Sequence, residues 1–263
     1  MRAVILAGGK GIRLRPYTTC LPKPLVPIGG ECAILELLLR QLRLQGFGHV
    51  TLAIGHLGDL IRSYVGDGSQ WGLTVDYWHE QEPLGTVGPL IAHRDEIVDD
   101  VVVLNADLLC DVDFADLLAH HRRTGAELTI ASYPRVVGID FGVLDVSDGR
   151  LRGFEEKPTV EYLVNMGIYA LSPSVLAGFD RGSPLGFDQL VAVLLGDGRS
   201  PHVYRFDGYW LDIGRPEDYD RANLEFETIE RLLLGRRARS DVHDLTHVEG
   251  ERLRDSEKAE ALR

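Results

Sequence analysis

Apolar residues recur along this chain in short runs that alternate with amphipathic stretches. Arg2 to Ala7, His49 to Ile54, Thr74 to His79, Val101 to Asn105 and Leu128 to Tyr133 read as strands. Between them, residues Ala33 to Leu44, Leu57 to Tyr64, Gly88 to Ile97 and Asp113 to Arg123 carry helical spacing, the last with Asp113 as N-cap. Strands joined by helices predict a mostly parallel sheet with ligands at the carboxyl ends of the strands.

After Pro134 the pattern changes. Phe141 to Val146, Asp148-Gly149 and Leu151 to Phe154 read as a hairpin around an Asp-Gly turn, followed by a strand from Asn165 to Ala170 and a helix from Phe187 to Leu195. The predicted fold class is therefore α/β: a Rossmann-like three-layer α/β/α arrangement with a mixed, mostly parallel central sheet and an inserted β-hairpin lid. Residues 1–235 read as one domain, with about 134–185 as the insertion. From Arg236 the chain becomes strongly charged and loses apolar periodicity, so 236–263 reads as a tail, helical or disordered. Neither internal repeats nor hexapeptide repeats appear.

Charge is distributed unevenly. The first thirty residues hold five basic side chains, Arg2, Lys10, Arg13, Arg15 and Lys23, and no acid, in a chain of formal net charge −12. That reversal marks an anion site. Gly8, Gly9 and Gly11, beside Leu6 and Ala7, leave backbone N–H groups free to converge on phosphate oxygens. Arg13 and Arg15 can fork onto such oxygens, and Lys23 supplies a movable point charge. Neither the Walker spacing nor the dinucleotide fingerprint fits, because the latter needs a glycine where Leu14 stands.

Gly8-Gly9-Lys10-Gly11-Ile12-Arg13-Leu14-Arg15-Pro16 with Pro22-Lys23-Pro24 resembles the signature of the sugar-1-phosphate nucleotidyltransferases, the pyrophosphorylases that make nucleotide sugars. One departure is visible: Ile12 stands where the family usually carries Thr or Ser. The resemblance implies Mg²⁺ held by Asp107, at the end of the apolar run Val101 to Leu104, and by Asp212 in Trp210-Leu211-Asp212-Ile213-Gly214. Magnesium binds triphosphates through one or two carboxylates while keeping several waters, so two acids suffice. It implies also that Glu156, Lys157 and Asn165 hold a sugar 1-phosphate, with the Gly142 backbone facing the sugar. Arg13, Lys23 and Lys157 are then the catalytic cations.

The family's base-reading position, counted back from Gly85, falls on Glu80, with Gln81 and Glu82 as the neighbouring registers. An ionised glutamate only accepts hydrogen bonds, which suits the adjacent N1–H and N2–H₂ donors of guanine. Other bases would set an acceptor against it, at roughly 1 to 3 kcal/mol, or about ten- to a hundredfold in preference. Glu82-Pro83-Leu84-Gly85-Thr86 looks most like the mannose-1-phosphate and heptose-1-phosphate guanylyltransferases. The expected reaction joins GTP to a mannose, heptose or cyclitol 1-phosphate with release of pyrophosphate, and thymidylyl or adenylyl transfer to a glucose phosphate is the nearest rival.

Other readings use other residues. A glycosyltransferase would use Asp111 and Asp113, a DxD pair, and a catalytically silent subunit would lack one of the site residues. The histidines make no triad or zinc pattern; His120-His121 reads as a solvent-facing pair, and His243 with His247 falls in the charged tail. Three cysteines without metal spacing suit a reducing compartment. No apolar run reaches about 18 residues and no signal-like start appears, so a soluble, cytoplasmic protein without a membrane partner is expected. The acidic balance argues against nucleic acid. The pattern is compatible with a homo-oligomer and does not specify one.

Overall fold

Helical crossovers and one hairpin connection together explain the observed sheet. The computed structural model describes residues 1–235. The N-terminal part contains β1 (Arg2–Ala7), β2 (Pro27–Ile28), β3 (Cys32–Ala33), α1 (Ile34–Leu44), β4 (His49–Ile54), α2 (Gly58–Val65), β5 (Thr74–His79), α3 (Gly88–Ala92) and β6 (Val101–Asn105). The middle contains β7 (Leu108–Cys110), α4 (Phe114–Thr124), β8 (Leu128–Gly138), the hairpin β9 (Val143–Ser147) with β10 (Arg150–Glu155), and β11 (Thr159–Leu171). The C-terminal part adds α5 (Phe187–Gly196), β12 (His202–Arg205), β13 (Trp210–Asp212), α6 (Pro216–Leu224) and α7 (Phe226–Leu234).

The central sheet has seven strands in the order β12-β8-β11-β6-β1-β4-β5. β11 is antiparallel to both of its neighbours, and the other pairings are parallel. The reason lies in the connections: a chain that crosses over through a helix returns parallel, whereas β8 reaches β11 through a hairpin. The mixed, mostly parallel sheet expected from the sequence is present. Its two faces are covered separately. Ile5, Leu38, Leu42, Leu52, Phe114 and Leu117 form the core on one side, and Val4, Trp78, Leu90, Val103 and Leu190 form it on the other.

Several elements depart from the sequence reading. The strand read as ending at Tyr133 continues through Pro134 to Gly138, with Pro134 opposite Leu163. β12 accompanies β8 only as far as Ser132, so the proline sits where its missing donor can face an open edge. β11 correspondingly starts at Thr159, and the two strands extend beyond the sheet as an arm. The helix read over Gly88 to Ile97 stops at Ala92 and tightens into a 3-10 turn at Arg94–Glu96. There the His93 ring stacks on Trp78 and its Nδ1 lies 2.8 Å from Glu96. The Asp148-Gly149 turn takes positive φ at both residues, 52° and 70°, as the hairpin requires.

His121 corrects the expectation of a solvent-facing pair. It is 1% exposed, with ring nitrogens 2.9 Å from Thr129 Oγ1 and 3.1 Å from Ser172 Oγ. Hydroxyls on β8 and after β11 make a polar lining for the inward side of α4, which an apolar/polar pattern alone does not reveal. The expected tail, with His243 and His247, lies outside the described residues. No helix among the described residues is long and apolar enough to cross a membrane.

Candidate active site

β1 delivers the glycine loop at its carboxyl end. Gly11 adopts φ +58°, and a Cβ there would lie 3.0 Å from Thr18 Cγ2 and 3.2 Å from Lys23 Cβ. Thr18, almost fully buried, donates through Oγ1 to the Gly11 carbonyl at 2.7 Å, closing the loop on itself ahead of the Pro-Lys-Pro segment. Leu14 anchors the following 3-10 turn in the core, whereas Ile12 is 60% exposed. The departure at Ile12 therefore removes a hydroxyl and leaves the packing unaffected. A cavity of about 310 Å³ opens beside this loop, bordered by Gly9, Lys10, Arg13, Lys23 and Asp107 among others.

Asp107 follows β6, and its Oδ2 pairs with the Lys23 ammonium. Its other oxygen, Oδ1, is buried without a partner. Asp212 reaches the same place through a short antiparallel ribbon, β7 with β13, in which it lies opposite Leu108. Ile213 N–H then donates to the Asp107 carbonyl at 3.1 Å. Burial, and next the negative charge of Asp107, push the Asp212 carboxyl above the ordinary range, against the pull of Lys23 and Arg13. Two carboxylates that repel each other, one with an orphaned buried oxygen, form an oxygen-donor set suited to a hard divalent cation. Among the described residues no group of three or more His, Cys, Asp or Glu converges, so a protein cage is not what these acids build. The residues fit Mg²⁺ shared with phosphate and water.

Glu80 follows β5 and donates its N–H to Ile54 O at 2.8 Å. Its Oε2 accepts from Leu84 N at 3.1 Å, and its Oε1 lies 2.8 Å from where a Gly8 Cβ would stand. The glutamate thus touches the glycine loop, 72 positions earlier in the chain (80 − 8). Burial raises its pKa, and the Leu84 N–H opposes the rise. Gly85 has φ +78°, and a Cβ there would sit 2.5 Å from the Leu185 carbonyl.

The sugar-side residues cluster around the hairpin. A Cβ on Gly142 would strike the Phe154 ring at 2.6 Å and reach Glu156 Oε2 at 3.0 Å, so these three are neighbours. Lys157 occupies the exposed turn between β10 and β11 with φ +48°. Asn165 marks the bulge at which β11 leaves the arm: its Oδ1 accepts from Gly167 N at 2.9 Å, and its Nδ2 donates to Tyr169 OH at 2.7 Å. The DxD acids have structural work instead. Asp111 Oδ1 accepts from Tyr209 N at 2.7 Å, and Asp113 caps α4 by accepting from Asp116 N at 2.8 Å.

A second cavity of about 520 Å³, on the far side of Arg13 and Gly214, escaped the sequence reading. Tyr133, Arg135, Trp210, Asp212, Arg215 and Arg221 line it. Tyr133 closes the part of β8 that the sequence marks as a strand, Arg135 sits on the part beyond Pro134, and Arg215 and Arg221 lie at the start of and within an unassigned helix.

Residues 2–229 match the family model described as nucleotidyl transferase. The chain belongs to the nucleotidyl transferase family. Among its relatives, it is 36% identical over 232 residues to a mannose-1-phosphate guanyltransferase of Schizosaccharomyces pombe. It is also 34% identical over 227 residues to a mannose-1-phosphate guanylyltransferase catalytic subunit beta of Danio rerio. Each match covers 83% of this nucleotidyl transferase chain and 62% of the relative, so the chain spans less than two thirds of their length. HddC from Yersinia pseudotuberculosis, solved in complex with GMP-PN, superposes with a TM-score of 0.67 at 27% identity, over 86% of this chain and 99% of that one. A putative glucose-1-phosphate thymidylyltransferase from Bacillus anthracis shares the fold, with a TM-score of 0.66 at 22% identity, over 85% of this chain and 94% of that one.

Proposed function

We propose that this chain makes a nucleotide sugar and pyrophosphate from a nucleoside triphosphate, GTP by preference, and a sugar or cyclitol 1-phosphate. The observation that carries this reading is the meeting of the glycine loop and the Lys23–Asp107 ion pair at one cleft, with Asp212 beside Asp107 at its border. A polyphosphate site that adjoins a pair of carboxylates suits attack on phosphorus better than simple anion storage. Membership of the family supports it.

In the reaction so read, the phosphate of the sugar 1-phosphate attacks the α-phosphorus in line and pyrophosphate leaves. Gly8, Gly9 and Gly11 present backbone donors to the triphosphate, beside Leu6 and Ala7. Arg13 and Lys23 neutralise the phosphate oxygens and hold the departing pyrophosphate, and Lys157 pairs with the acceptor's phosphate. Glu156 and Asn165 accept from or donate to sugar hydroxyls, beside the Gly142 backbone. Asp107 and Asp212 would hold Mg²⁺, which when bound would draw charge from the α-phosphate. No covalent intermediate on the protein is needed, because the work is alignment of two anions and screening of their repulsion.

Preference for GTP rests on Glu80. With Oε2 engaged by Leu84 N–H, the carboxylate retains Oε1 and further lone pairs for a donor pair on the base. The names of the relatives and the GMP-PN bound to HddC point the same way. A cytoplasmic location suits the triphosphate substrate and three free thiols, Cys20, Cys32 and Cys110.

The test is pyrophosphate release from GTP and mannose 1-phosphate by the wild type and by Asp212→Asn, with melting curves for both. Turnover should fall by orders of magnitude in a variant that melts normally. Near-normal release by folded Asp212→Asn removes the metal assignment.

A further inference from the structure

The second cavity holds more positive charge than a sugar monophosphate needs. Arg13, Arg135, Arg215 and Arg221 line it, against Asp212 and Asp218. Arg221 is neutralised by Glu225 at 3.0 Å, and the Asp218 carboxylate caps α6 by accepting from Arg215 N at 3.0 Å. Arg13, Arg135 and Arg215 form no ion pair among the described residues. Arg13 acts on Asp212 by charge, which leaves Arg135 and Arg215 as two guanidinium groups without carboxylate partners in one cavity of a chain of net charge −12.

The wall between them is aromatic and has an unmet donor. Tyr133 and Trp210 pack with ring centroids 5.3 Å apart, and Trp210 Nε1 is buried with no acceptor in the protein. Arg135 follows Tyr133 at the spacing that places both on one face of β8. Arg13 borders both cavities, so it stands at the junction where the two phosphates of the proposed reaction meet. Arg135 and Arg215 border the second cavity and not the first. Guanidinium forks beside an unpaired indole N–H suit an oxyanion with several acceptor oxygens.

We infer that this cavity is a second oxyanion subsite, and that the acceptor carries a phosphate or carboxylate in addition to the reacting 1-phosphate. This rests on the reading of the protein as a nucleotidyltransferase. Arg135 and Arg215 then select the acceptor, while Arg13 serves the reacting phosphates. Free pyrophosphate offers the same oxyanion chemistry, so the test includes it separately.

The experiment is calorimetric titration of the protein, loaded with Mg²⁺ and an unreactive GTP analogue, with mannose 1-phosphate, mannose 1,6-bisphosphate and inorganic pyrophosphate. Wild type, Arg135→Ala and Arg215→Ala are compared after melting curves establish that each is folded. The bisphosphate should bind at least tenfold more tightly than the monophosphate, and each variant should erase that advantage while leaving the affinity for the GTP analogue unchanged. Pyrophosphate binding that depends on Arg135 and Arg215, with no binding of either sugar phosphate, would retain the oxyanion subsite and overturn the acceptor reading. Equal affinity for mono- and bisphosphate, with pyrophosphate binding indifferent to both arginines, overturns the subsite itself while leaving nucleotidyl transfer intact.

Discussion

Gly11 stands in the left-handed region at φ +58°, and Thr18 and Lys23 crowd the place of a Cβ. Gly11→Ala should therefore cost about 1–2 kcal/mol in urea denaturation, the penalty of that conformation for a side chain. It should also raise the KM for triphosphate by distorting the donors of the loop. Gly142→Ala acts on the other substrate. The new methyl would have to displace Phe154 and press on Glu156, so the KM for sugar 1-phosphate should rise severalfold with the triphosphate KM unchanged. Steady-state kinetics with each substrate varied in turn separates the two. At this scale much of the candidate site was legible. Gly8 to Lys23 was marked by residue type and spacing, because phosphate restricts what can stand beside it, and Asp107 and Asp212 were marked by the family resemblance. The Lys23–Asp107 ion pair and the contact of Glu80 with Gly8 were not, because both join segments remote in sequence. Arg135 and Arg215 gave no local signal at all.

The elements explain which parts of the chain could be read. β1, β4 and β6 are buried on both faces or nearly so, the edge strand β5 alternates between exposed and buried positions, and all four have the same bounds in structure and sequence. The three-residue strands β7 and β13 are too short to show a period, yet their ribbon is what sets Asp212 beside Asp107. α6 starts with Pro216-Glu217-Asp218 and buries only Ala222, so it carried no amphipathic signature. α7 is the buttress of that region: Ile229 is fully buried in a cluster with Ile34, Leu37, Leu211 and Ile213. Ile229→Ala should destabilise the protein by about 2–5 kcal/mol, as large-to-small core changes do. Because Leu211 and Ile213 flank Asp212, turnover should fall as well, below the denaturation midpoint and without any change at a substrate contact. Unchanged turnover in that variant would mean that the ribbon holds Asp212 without help from α7.

Over the whole molecule, the buried His121 links packing to pH. Burial lowers its pKa, Asp100 opposes this, and Arg122, His120 and His202 reinforce it. Above the ordinary histidine pKa of about 6.5 the side chain is neutral in both folded and unfolded chains, and it contributes no slope. As pH falls through that value the unfolded chain takes up a proton first, so stability declines until the folded pKa is reached. Urea midpoints measured from pH 7.5 down to 5.5 should show this decline, and His121→Asn, whatever its absolute stability, should show a smaller slope. The three clusters that such unfolding would disrupt meet where the two cavities adjoin: β1 and β6 bring the loop and Asp107, and α7 backs the ribbon that brings Asp212. On the proposed reading, the molecule sets two anion sites side by side across a pair of carboxylates. The most direct measurement is pyrophosphate release with Mg²⁺, crossing GTP, ATP, UTP, CTP and dTTP with mannose, heptose, glucose and cyclitol 1-phosphates, with products identified by mass. Pyrophosphate and a guanosine diphosphate sugar should form in equal amounts, with GTP ahead of the other triphosphates by about ten- to a hundredfold, the cost of one unpaired acceptor at Glu80. No pyrophosphate from any pair, with transfer from a finished nucleotide sugar instead, would contradict nucleotidyl transfer.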